Sequence, residues 1–393
     1  MRILVLPGDT RFNVGDMAIC LAVTRLIRAC RPDAAIDVWG HEPELATGFE
    51  GVRFVRTGWS LLRSLRRADL VVWGGGQLLQ GNRSRVKIPF WVLMIGLCRL
   101  FGRRVVGIGQ GVGPLHGSLD RVLTRQAVHW TDAFSVRDSG SAEWLRLAGV
   151  GDDEILLAAD PAICLVLDSP PSGPVKREGA GPAVGVSLRY TLHHVPGRLI
   201  PAQFSGSRRR RAIVASPGFR RFVDDMETVC RRILDRDGAS IVFLPMYYAP
   251  WETDEYLAAE LARRLDAGDR VRIFRARSSV TEVMRAFAEV DVCVATPMHA
   301  TILATCQGTP TVGLYYEPKG FEYLESLHCE GWSLPLEDAI GPGGADRLSE
   351  RVTTLLQSSS EARRHLREHL PALRARASVG ARMLSDFLLH PTS

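Results

Sequence analysis

The sequence predicts an α/β protein with two Rossmann-like domains, each built on a parallel sheet, that face each other across a cleft. Short apolar runs alternate with segments of helical spacing along nearly the whole chain, which is typical of a doubly wound sheet. The length of 393 residues is long for one core and suits two domains.

A stretch rich in Pro, Gly and Ser divides this alternation and sets the predicted domain boundaries. The first domain is predicted over residues 1–167, a linker over 168–182 and the second domain over 183–345. The remainder, 346–393, has a helical pattern and is expected to pack back across both domains.

Each predicted element rests on a local pattern: strands are short apolar runs, and helices have apolar residues three and four positions apart. The predicted strands are Arg2–Leu6, Ile36–Trp39, Leu70–Trp73, Val105–Ile108, Ala133–Val136, Ile155–Ala158, Ala183–Arg189, Ser240–Leu244, Val271–Phe274, Val292–Ala295 and Thr311–Tyr315. The predicted helices are Met17–Cys30, Leu61–Arg67, Pro89–Phe101, Leu119–Trp130, Ser141–Ala148, Phe219–Asp235, Glu255–Leu265, Val280–Ala288 and Ala300–Cys306.

Composition narrows the class of partner. The net charge of +6 favours anionic substrates or an anionic surface, and no basic stripe interleaved with aromatics is present, so nucleic-acid binding is not expected. The eight cysteines include no C-x-x-C pair, which disfavours a metal site and indicates a reducing cytoplasm. The chain begins directly with a strand, so we expect no signal peptide.

For two segments, contact with a membrane surface is one of two alternatives. The apolar stretch Ile88–Leu100 is too short to span a bilayer and predicts a buried helix, or a helix in peripheral contact with a membrane because aromatics and arginines flank it. The run Arg208–Arg211 is either a solvated loop or an attractor for an anionic acceptor or phospholipid.

In the first domain, candidate ligand-binding residues follow the predicted strands. Asn13, Gly15 and Asp16 stand between a strand and a helix, where they either approach a ligand or form an Asx-type helix cap. Gly75 and Gly76 belong to a glycine triplet after the third strand, which predicts close approach of the backbone either to a ligand or to neighbouring backbone.

Two further candidates come later in this domain. The segment from Gly109 to Pro114 has the wrong spacing for a dinucleotide fingerprint, so we interpret it as a pocket-shaping loop in which Gln110 supplies hydrogen bonds. Arg137, which precedes Asp138, is either a substrate clamp or part of a structural ion pair and helix cap.

The second domain places its candidates at two strand ends. Ser187, Arg189, His193 and His194 lie at or just past its first strand; arginine suits a phosphate or carboxylate, whereas loop histidines are either solvated or acid–base groups. His299 follows the strand Val292–Ala295 at a helix start, where N–H groups and a partial positive charge suit a phosphate; the alternative is an ordinary capping residue.

Taken together, these stretches resemble the polysaccharide pyruvyl transferase family. The matching pieces appear in order: Asn13–Ala18, Gly74–Gly76, Gly109–Pro114, Ser135–Asp138, Asp160–Ala162, Ser187–Arg189, His299–Ala300, Gly308–Pro310 and Lys319. Each is weak alone, but the ordered set is specific and covers the chain to about residue 325.

The resemblance implies a GT-B-like fold and transfer of pyruvate from phosphoenolpyruvate to hydroxyls of a sugar or glycolipid acceptor, which forms a ketal. It implies a transferase that uses phosphoenolpyruvate as co-substrate and needs no other cofactor. We expect it in the cytoplasm, either free or in peripheral contact with the inner face of the membrane. His299 and Asp16 are the implied catalytic residues. The implied donor-binding residues are Arg189, Ser187, His193, His194, Lys319, Ala300 and Thr301, and the implied acceptor residues are Asn13, Gly15, Gly75, Gly76, Gln110 and Arg137.

One position departs from the family pattern. Family members have arginine two positions before the histidine, and this chain has Pro297 there. A charge-assisted hydrogen bond contributes roughly 1.5–3 kcal/mol, and proline cannot replace it through a backbone N–H. The alternatives are therefore a GT-B glycosyltransferase that uses a nucleotide sugar, with Glu317 on the ribose, and a non-catalytic family member.

Overall fold

The computed structural model describes residues 1–41, 48–56, 58–81, 84–165, 167, 181–189, 206–249, 252–275 and 279–390. The chain forms two compact units. The first contains the described residues up to 165 together with 372–390, and the second contains those from 167 to 371.

The first unit has a parallel sheet that the described residues build from seven strands in the order β3-β2-β1-β4-β5-β6-β7. Its strands are β1 Arg2–Leu6, β2 Ala35–Trp39, β3 Val52–Val55, β4 Leu70–Leu79, β5 Arg104–Val112, β6 Ala133–Val136 and β7 Leu156–Leu157. Its helices are α1 Val14–Cys30, α2 Trp59–Arg67, α3 Lys87–Leu100, α4 Ser118–His129 and α5 Ser139–Leu147.

The helices of this unit cover both faces of the sheet. Leu65 of α2, Ile95 of α3, Ala127 of α4 and Leu145 of α5 belong to one hydrophobic cluster with side chains of the strands. Right-handed crossovers place α1, which precedes the reversal of strand order, on the opposite face.

Glycines in the middle of this sheet continue strands beyond their predicted ends. The predicted ends at Trp73 and Ile108 are wrong, as is the loop predicted from Gly109, because β4 runs to Leu79 and β5 to Val112. A Cβ on Gly75 would lie 3.0 Å from the carbonyl oxygen of Gly109 and 3.0 Å from Ile19 Cγ2. Glycine is therefore needed for close packing of backbone, the alternative that the sequence left open.

The second unit has a parallel sheet of six strands among the described residues, in the order β12-β9-β8-β13-β14-β15, and a short antiparallel hairpin of β10 and β11. Its strands are β8 Ala183–Ser187, β9 Ser240–Phe243, β10 Tyr248–Ala249, β11 Glu252–Thr253, β12 Val271–Ile273, β13 Val292–Ala295, β14 Thr311–Tyr315 and β15 Ser333–Pro335. Its helices are α6 Gly206–Ala215, α7 Pro217–Leu234, α8 Asp254–Leu265, α9 Val280–Ala288, α10 Met298–Cys306, α11 Pro318–Glu325 and α12 Gly344–Gln357.

The last helix, α13, spans Ser359–Leu389 and supplies residues to each unit. In the second unit, Arg363 donates hydrogen bonds to the carbonyl oxygens of Gly308 and Val290. In the first unit, the Arg31 side chain donates to the carbonyl oxygen of Leu388 at 2.8 Å, and Arg104 lies 4.4 Å from the ring centroid of Phe387. The two ends of this helix thus have separate anchoring contacts.

The predicted α/β class with two parallel sheets is confirmed, and helix starts are the commonest boundary error. The structure begins α1 at Val14, three residues before the predicted start, because the Asn13 side chain accepts a hydrogen bond from the N–H of Gly15 and caps the helix. The edge strands β3 and β15 and the hairpin are absent from the predicted set because their runs are short and mixed in polarity.

Candidate functional site

Each sheet contains one point where the strand order reverses, and parallel sheets bind ligands in the crevice outside the carboxyl ends of the strands at that point. In the first unit the reversal lies between the adjacent strands β1 and β4. In the second unit it lies between β8 and β13. We call these the first and the second switch point.

At the first switch point, the Asp16 carboxylate is held against glycine backbone. Its Oδ2 accepts hydrogen bonds from the N–H of Asp9 at 2.8 Å and from Asn13 Nδ2 at 3.0 Å. A Cβ on Gly8 would lie 2.6 Å from Oδ2, and one on Gly76, whose φ is +97°, would lie 3.1 Å from Oδ1. Asp16, Asn13 and Gly76 therefore lie together, and their contact with an acceptor remains a prediction.

A second carboxylate, that of Asp9, lies in the same turn. The pKa of Asp9 is raised because burial disfavours its charged form and because the charge of Asp16 repels it. Two backbone N–H groups, of Arg11 and Phe12, donate to its Oδ1 at 3.0 and 3.2 Å. A carboxylate whose pKa is raised in this way can take and return protons.

The remaining first-unit candidates have structural contacts. Gly15 lies in the first turn of α1, and its N–H donates to Asn13. Gln110 is fully buried and its Nε2 donates to the carbonyl oxygen of Trp73 at 2.7 Å. Gln110 thus joins neighbouring strands, and a contact with the acceptor remains a prediction for both residues.

Arg137 forms the structural ion pairs that the sequence leaves open as an alternative to a substrate clamp. Its side chain is 3% exposed and contacts the carboxylates of Asp160 at 3.0 Å and Asp138 at 3.2 Å. Burial lowers the pKa of Arg137, but the two carboxylates outweigh burial and raise it overall. Asp138 also caps α5 through the N–H of Ser141.

Two buried hydroxyls mark the second switch point. Ser187 is the last residue of β8, and Thr296 follows β13; the N–H of Thr296 donates to the carbonyl oxygen of Ser187 at 2.9 Å. The side chains are 0% and 2% exposed, and within the described part of the chain neither hydroxyl has a hydrogen-bond partner. Leaving a buried hydroxyl without a partner costs about 1–3 kcal/mol, which a ligand that bonds it would offset.

The helix α10 begins immediately after these hydroxyls. Pro297 is its N-cap residue, and His299 is its second residue and is half-buried. The N–H groups of Ala300 and Thr301 donate to the carbonyl oxygen of Pro297 at 2.9 and 3.4 Å. The helix N-terminus carries a partial positive charge that attracts an anion.

The side chain of Thr301 has a structural contact. Its hydroxyl accepts a hydrogen bond of 2.7 Å from Tyr315, and burial raises the pKa of Tyr315. Binding of the donor by Ala300 and Thr301 remains a prediction.

Arg189, two residues past β8, is buried in an ion pair. Its Nε and Nη2 contact Oδ1 and Oδ2 of Asp254 at 3.1 and 3.3 Å, and its guanidinium lies 4.5 Å from the ring centroid of Tyr247. Asp254 also accepts a hydrogen bond from the N–H of Met246 at 3.2 Å. A donor anion would therefore share this guanidinium with Asp254.

Lys319 lies beyond the neighbouring strand β14, at the start of α11. Its ammonium group forms an ion pair with Glu317, the N-cap residue of that helix. His193 and His194 lie outside the described residues, as do the side chains of Arg208 to Arg210, and Arg211 is exposed.

The described residues contain no group of three or more His, Cys, Asp or Glu side chains arranged to hold a metal ion. None of their helices is both long and apolar enough to cross a membrane.

The family model for polysaccharide pyruvyl transferase matches residues 13–318, a range that includes both switch points. The chain belongs to the polysaccharide pyruvyl transferase family. It is therefore a transferase that modifies a glycan, and the resemblance predicted from the ordered motifs is confirmed. No curated protein matches the chain in a direct sequence comparison.

Solved structures show the GT-B fold of this family member. HepE of Anabaena, solved in complex with UDP and glucose, has 12% identity and a TM-score of 0.58, with 99% of both chains covered. The UDP-GlcNAc 2-epimerase of Methanocaldococcus jannaschii has 10% identity and a TM-score of 0.55, with 91% of this chain and 93% of that chain covered. The glycotransferase of kitacinnamycin has 15% identity and a TM-score of 0.56, with 99% and 98% covered.

The sequence interpretation missed three residues at the switch points: Asp9, Thr296 and Asp254. Thr296 comes directly after a predicted buried strand and Asp9 comes three residues after one, so their positions near strand ends could have found them. Asp254 is 65 residues from Arg189, and no local pattern indicates this contact.

Proposed function

We propose that this transferase moves a pyruvyl group from phosphoenolpyruvate to two hydroxyls of one sugar in a glycan or glycolipid and forms a ketal. The observation that carries the proposal is the polar set at the second switch point. Two buried hydroxyls, Ser187 and Thr296, lie beside the N-terminus of α10 and His299. This set offers hydroxyl donors and a partial positive charge to a small dianion, and it lies inside the range matched by the family model.

The donor fits this set by its chemistry. Phosphoenolpyruvate carries a phosphate and a carboxylate on one small carbon skeleton. We propose that the phosphate binds at the N-terminus of α10, where Ser187 and Thr296 donate to it. Arg189 and Lys319 then supply positive charge, although each already has a carboxylate partner.

The proposed reaction has a balanced course. A proton adds to the methylene carbon, which becomes the methyl group, and the adjacent carbon becomes cation-like. The first sugar hydroxyl attacks that carbon and loses its proton to a base. The second hydroxyl attacks the same carbon as the bond between that carbon and the phosphate oxygen breaks, and its proton passes to the leaving phosphate. The products are therefore the ketal and inorganic phosphate.

The proposed proton-transfer groups belong to the two switch points. His299 delivers or accepts a proton on the donor, because imidazole exchanges protons near neutral pH. The Asp9–Asp16 pair accepts the hydroxyl proton, and Asn13 and Gly76 shape the acceptor position around it. The positive charge that this scheme requires comes from the protein, and we propose that the reaction proceeds in the cytoplasm.

The experiment that tests the proposal is mass spectrometry of sugar acceptors incubated with phosphoenolpyruvate. We expect the mass to increase by one pyruvyl unit per ketal, with release of an equal amount of inorganic phosphate. Phosphate release without a modified acceptor would indicate hydrolysis alone and would contradict the transfer.

A second candidate is glycosyl transfer from a nucleotide sugar, which the UDP complex of HepE favours. In that case the helix N-terminus would bind the diphosphate, and Glu317 would contact the ribose. Titration calorimetry of the protein with phosphoenolpyruvate, UDP-glucose and UDP-N-acetylglucosamine distinguishes the two. Binding heat from a UDP-sugar and none from phosphoenolpyruvate would contradict the pyruvyl donor and support a nucleotide-sugar donor.

A further inference from the structure

The solvent-facing side of α3 is apolar. A surface helix of a water-facing protein normally presents polar residues outward. Leu93 is 62% exposed and Leu100 is 77% exposed, and Val86, one residue before the helix, is 41% exposed. The exposed residues of α3 are Pro89, Phe90, Leu93, Arg99 and Leu100, so Arg99 is the one charged member.

Helix α2 continues this surface. Trp59, at its first position, is 82% exposed. The guanidinium of Arg66 lies 5.2 Å from the ring centroid of Phe101, and Arg103 donates to the carbonyl oxygen of Ala68 at 2.9 Å, so the ends of α2 and α3 are adjacent. We call the outward side of these two helices the α2–α3 surface.

The charges on the α2–α3 surface have one sign. Residues 58–68 and 84–104 contain no Asp or Glu. The basic residues in these two segments are Arg63, Arg66, Arg67, Arg85, Lys87, Arg99, Arg103 and Arg104. Arg99 also contacts the carboxylate of Asp132 at 3.4 Å, so the surround is mainly rather than wholly basic. Apolar side chains with a mainly basic surround are typical of segments that lie in the interface of an anionic bilayer.

We propose that the α2–α3 surface docks on an anionic phospholipid bilayer, with Leu93 and Leu100 in the interface and the arginines on the headgroups. A second copy of the chain is disfavoured as the occupant, because a two-fold contact would bring identical basic patches together. The membrane contact is independent of the donor, so it stands whether or not phosphoenolpyruvate is the substrate.

The first test is co-sedimentation of the full chain with vesicles of phosphatidylcholine alone and of phosphatidylcholine mixed with phosphatidylglycerol. We expect binding to the anionic vesicles and at least tenfold weaker binding to the neutral ones. In the variant Leu93→Glu/Leu100→Glu, we expect affinity for anionic vesicles to fall at least tenfold, because two apolar side chains are lost from the interface.

The matched control is Leu147→Glu/Leu389→Glu. These leucines are each 50% exposed and lie outside α2 and α3. We expect the control to bind anionic vesicles like the parent protein, and thermal melting should show that both variants remain folded. An equal loss of binding in both variants would overturn the assignment to this surface.

The second test addresses charge. Arg63 and Arg85 are exposed, so replacing them with alanine leaves the core intact. We expect each replacement to weaken binding roughly fivefold and added salt to weaken it further. Failure of the parent protein to bind any vesicle would overturn the proposal, and concentration-dependent dimerisation that is abolished by Leu93→Glu would assign the surface to a second copy instead.

Discussion

The two switch points have the same topology but opposite chemistry. The first ends in carboxylates: Asp16 lies against glycine backbone, and burial together with the charge of Asp16 raises the pKa of Asp9. The second ends in hydroxyls, a helix N-terminus and a histidine, and Arg189, two residues past β8, is already paired. The fold therefore fixes where a ligand binds, whereas the residues that follow each strand decide what charge the ligand has.

This difference suggests a division of chemistry between the units. A carboxylate pair suits removal of a proton from a neutral sugar hydroxyl, and a helix N-terminus suits an anionic donor. The following changes test each side of the comparison, beginning with the largest expected effect.

Replacement of His299 with alanine should remove the proton-transfer group of the second switch point. We expect the transfer rate to fall about 10²- to 10⁴-fold with the fold intact, which is the usual contribution of a general acid or base. Phosphate release measures the rate, and circular dichroism measures the fold. His116→Ala, in the first unit, is the control, and near-normal turnover in a folded His299→Ala protein would assign the chemistry elsewhere.

Replacement of Asp254 with alanine should show how far Arg189 is a structural residue. Removing one partner of a buried ion pair leaves the other charge uncompensated, so we expect a loss of about 3–5 kcal/mol in the free energy of unfolding. Urea denaturation measures this. The paired variant Arg189→Met/Asp254→Leu should recover most of the stability, and it isolates the effect of the guanidinium on donor affinity.

If the paired variant binds phosphoenolpyruvate as tightly as the parent protein, Arg189 is structural and the donor charge is matched by other groups. A loss of affinity would show that Arg189 both stabilises the fold and binds the donor. Similar stability of the Asp254→Ala variant and the parent would contradict the ion pair itself.

Replacement of Pro297 with arginine should bring the second switch point closer to the family pattern. Pro297 has φ −71° and ψ 128°, an extended conformation that arginine also adopts, so little strain is expected. One charge-assisted hydrogen bond of roughly 1.5–3 kcal/mol should tighten phosphoenolpyruvate binding about ten- to a hundredfold. Calorimetry measures this, with Pro297→Gln as the uncharged control; unchanged affinity would mean that the pocket serves a different donor.

The sequence was sufficient for the fold class and for much of each switch point. Apolar runs identify central strands such as β13 and β14 because buried parallel strands are apolar on both faces. Residues that follow those strands, including Ser187, Asp16 and His299, then become candidates by position. The ordered set of motifs then predicted the family.

Other features depend on contacts that no local pattern records. Gly75 continues a strand because it packs against the backbone of β5, and a triplet of glycines on its own predicts a turn equally well. The Arg189–Asp254 pair joins residues far apart in the chain, so the sequence presents Arg189 as available to a ligand. The raised pKa of Asp9 likewise depends on its burial and on its closeness to Asp16, which the sequence alone does not show.

The smallest expected effect concerns stability at the first switch point and follows from Asp9. Its raised pKa means that the folded state holds the proton more tightly than the unfolded state. Stability therefore falls as the pH rises from the ordinary value of 3.8 through the folded pKa, and it stays lower above that. We expect Asp9→Asn, which keeps an oxygen for the N–H groups of Arg11 and Phe12, to raise the melting temperature at pH 7 and to lose this advantage below the ordinary pKa. Melting curves across this range measure the difference, with the exposed Asp33→Asn as control. An advantage that is independent of pH would show that the pKa of Asp9 is not raised in the folded state.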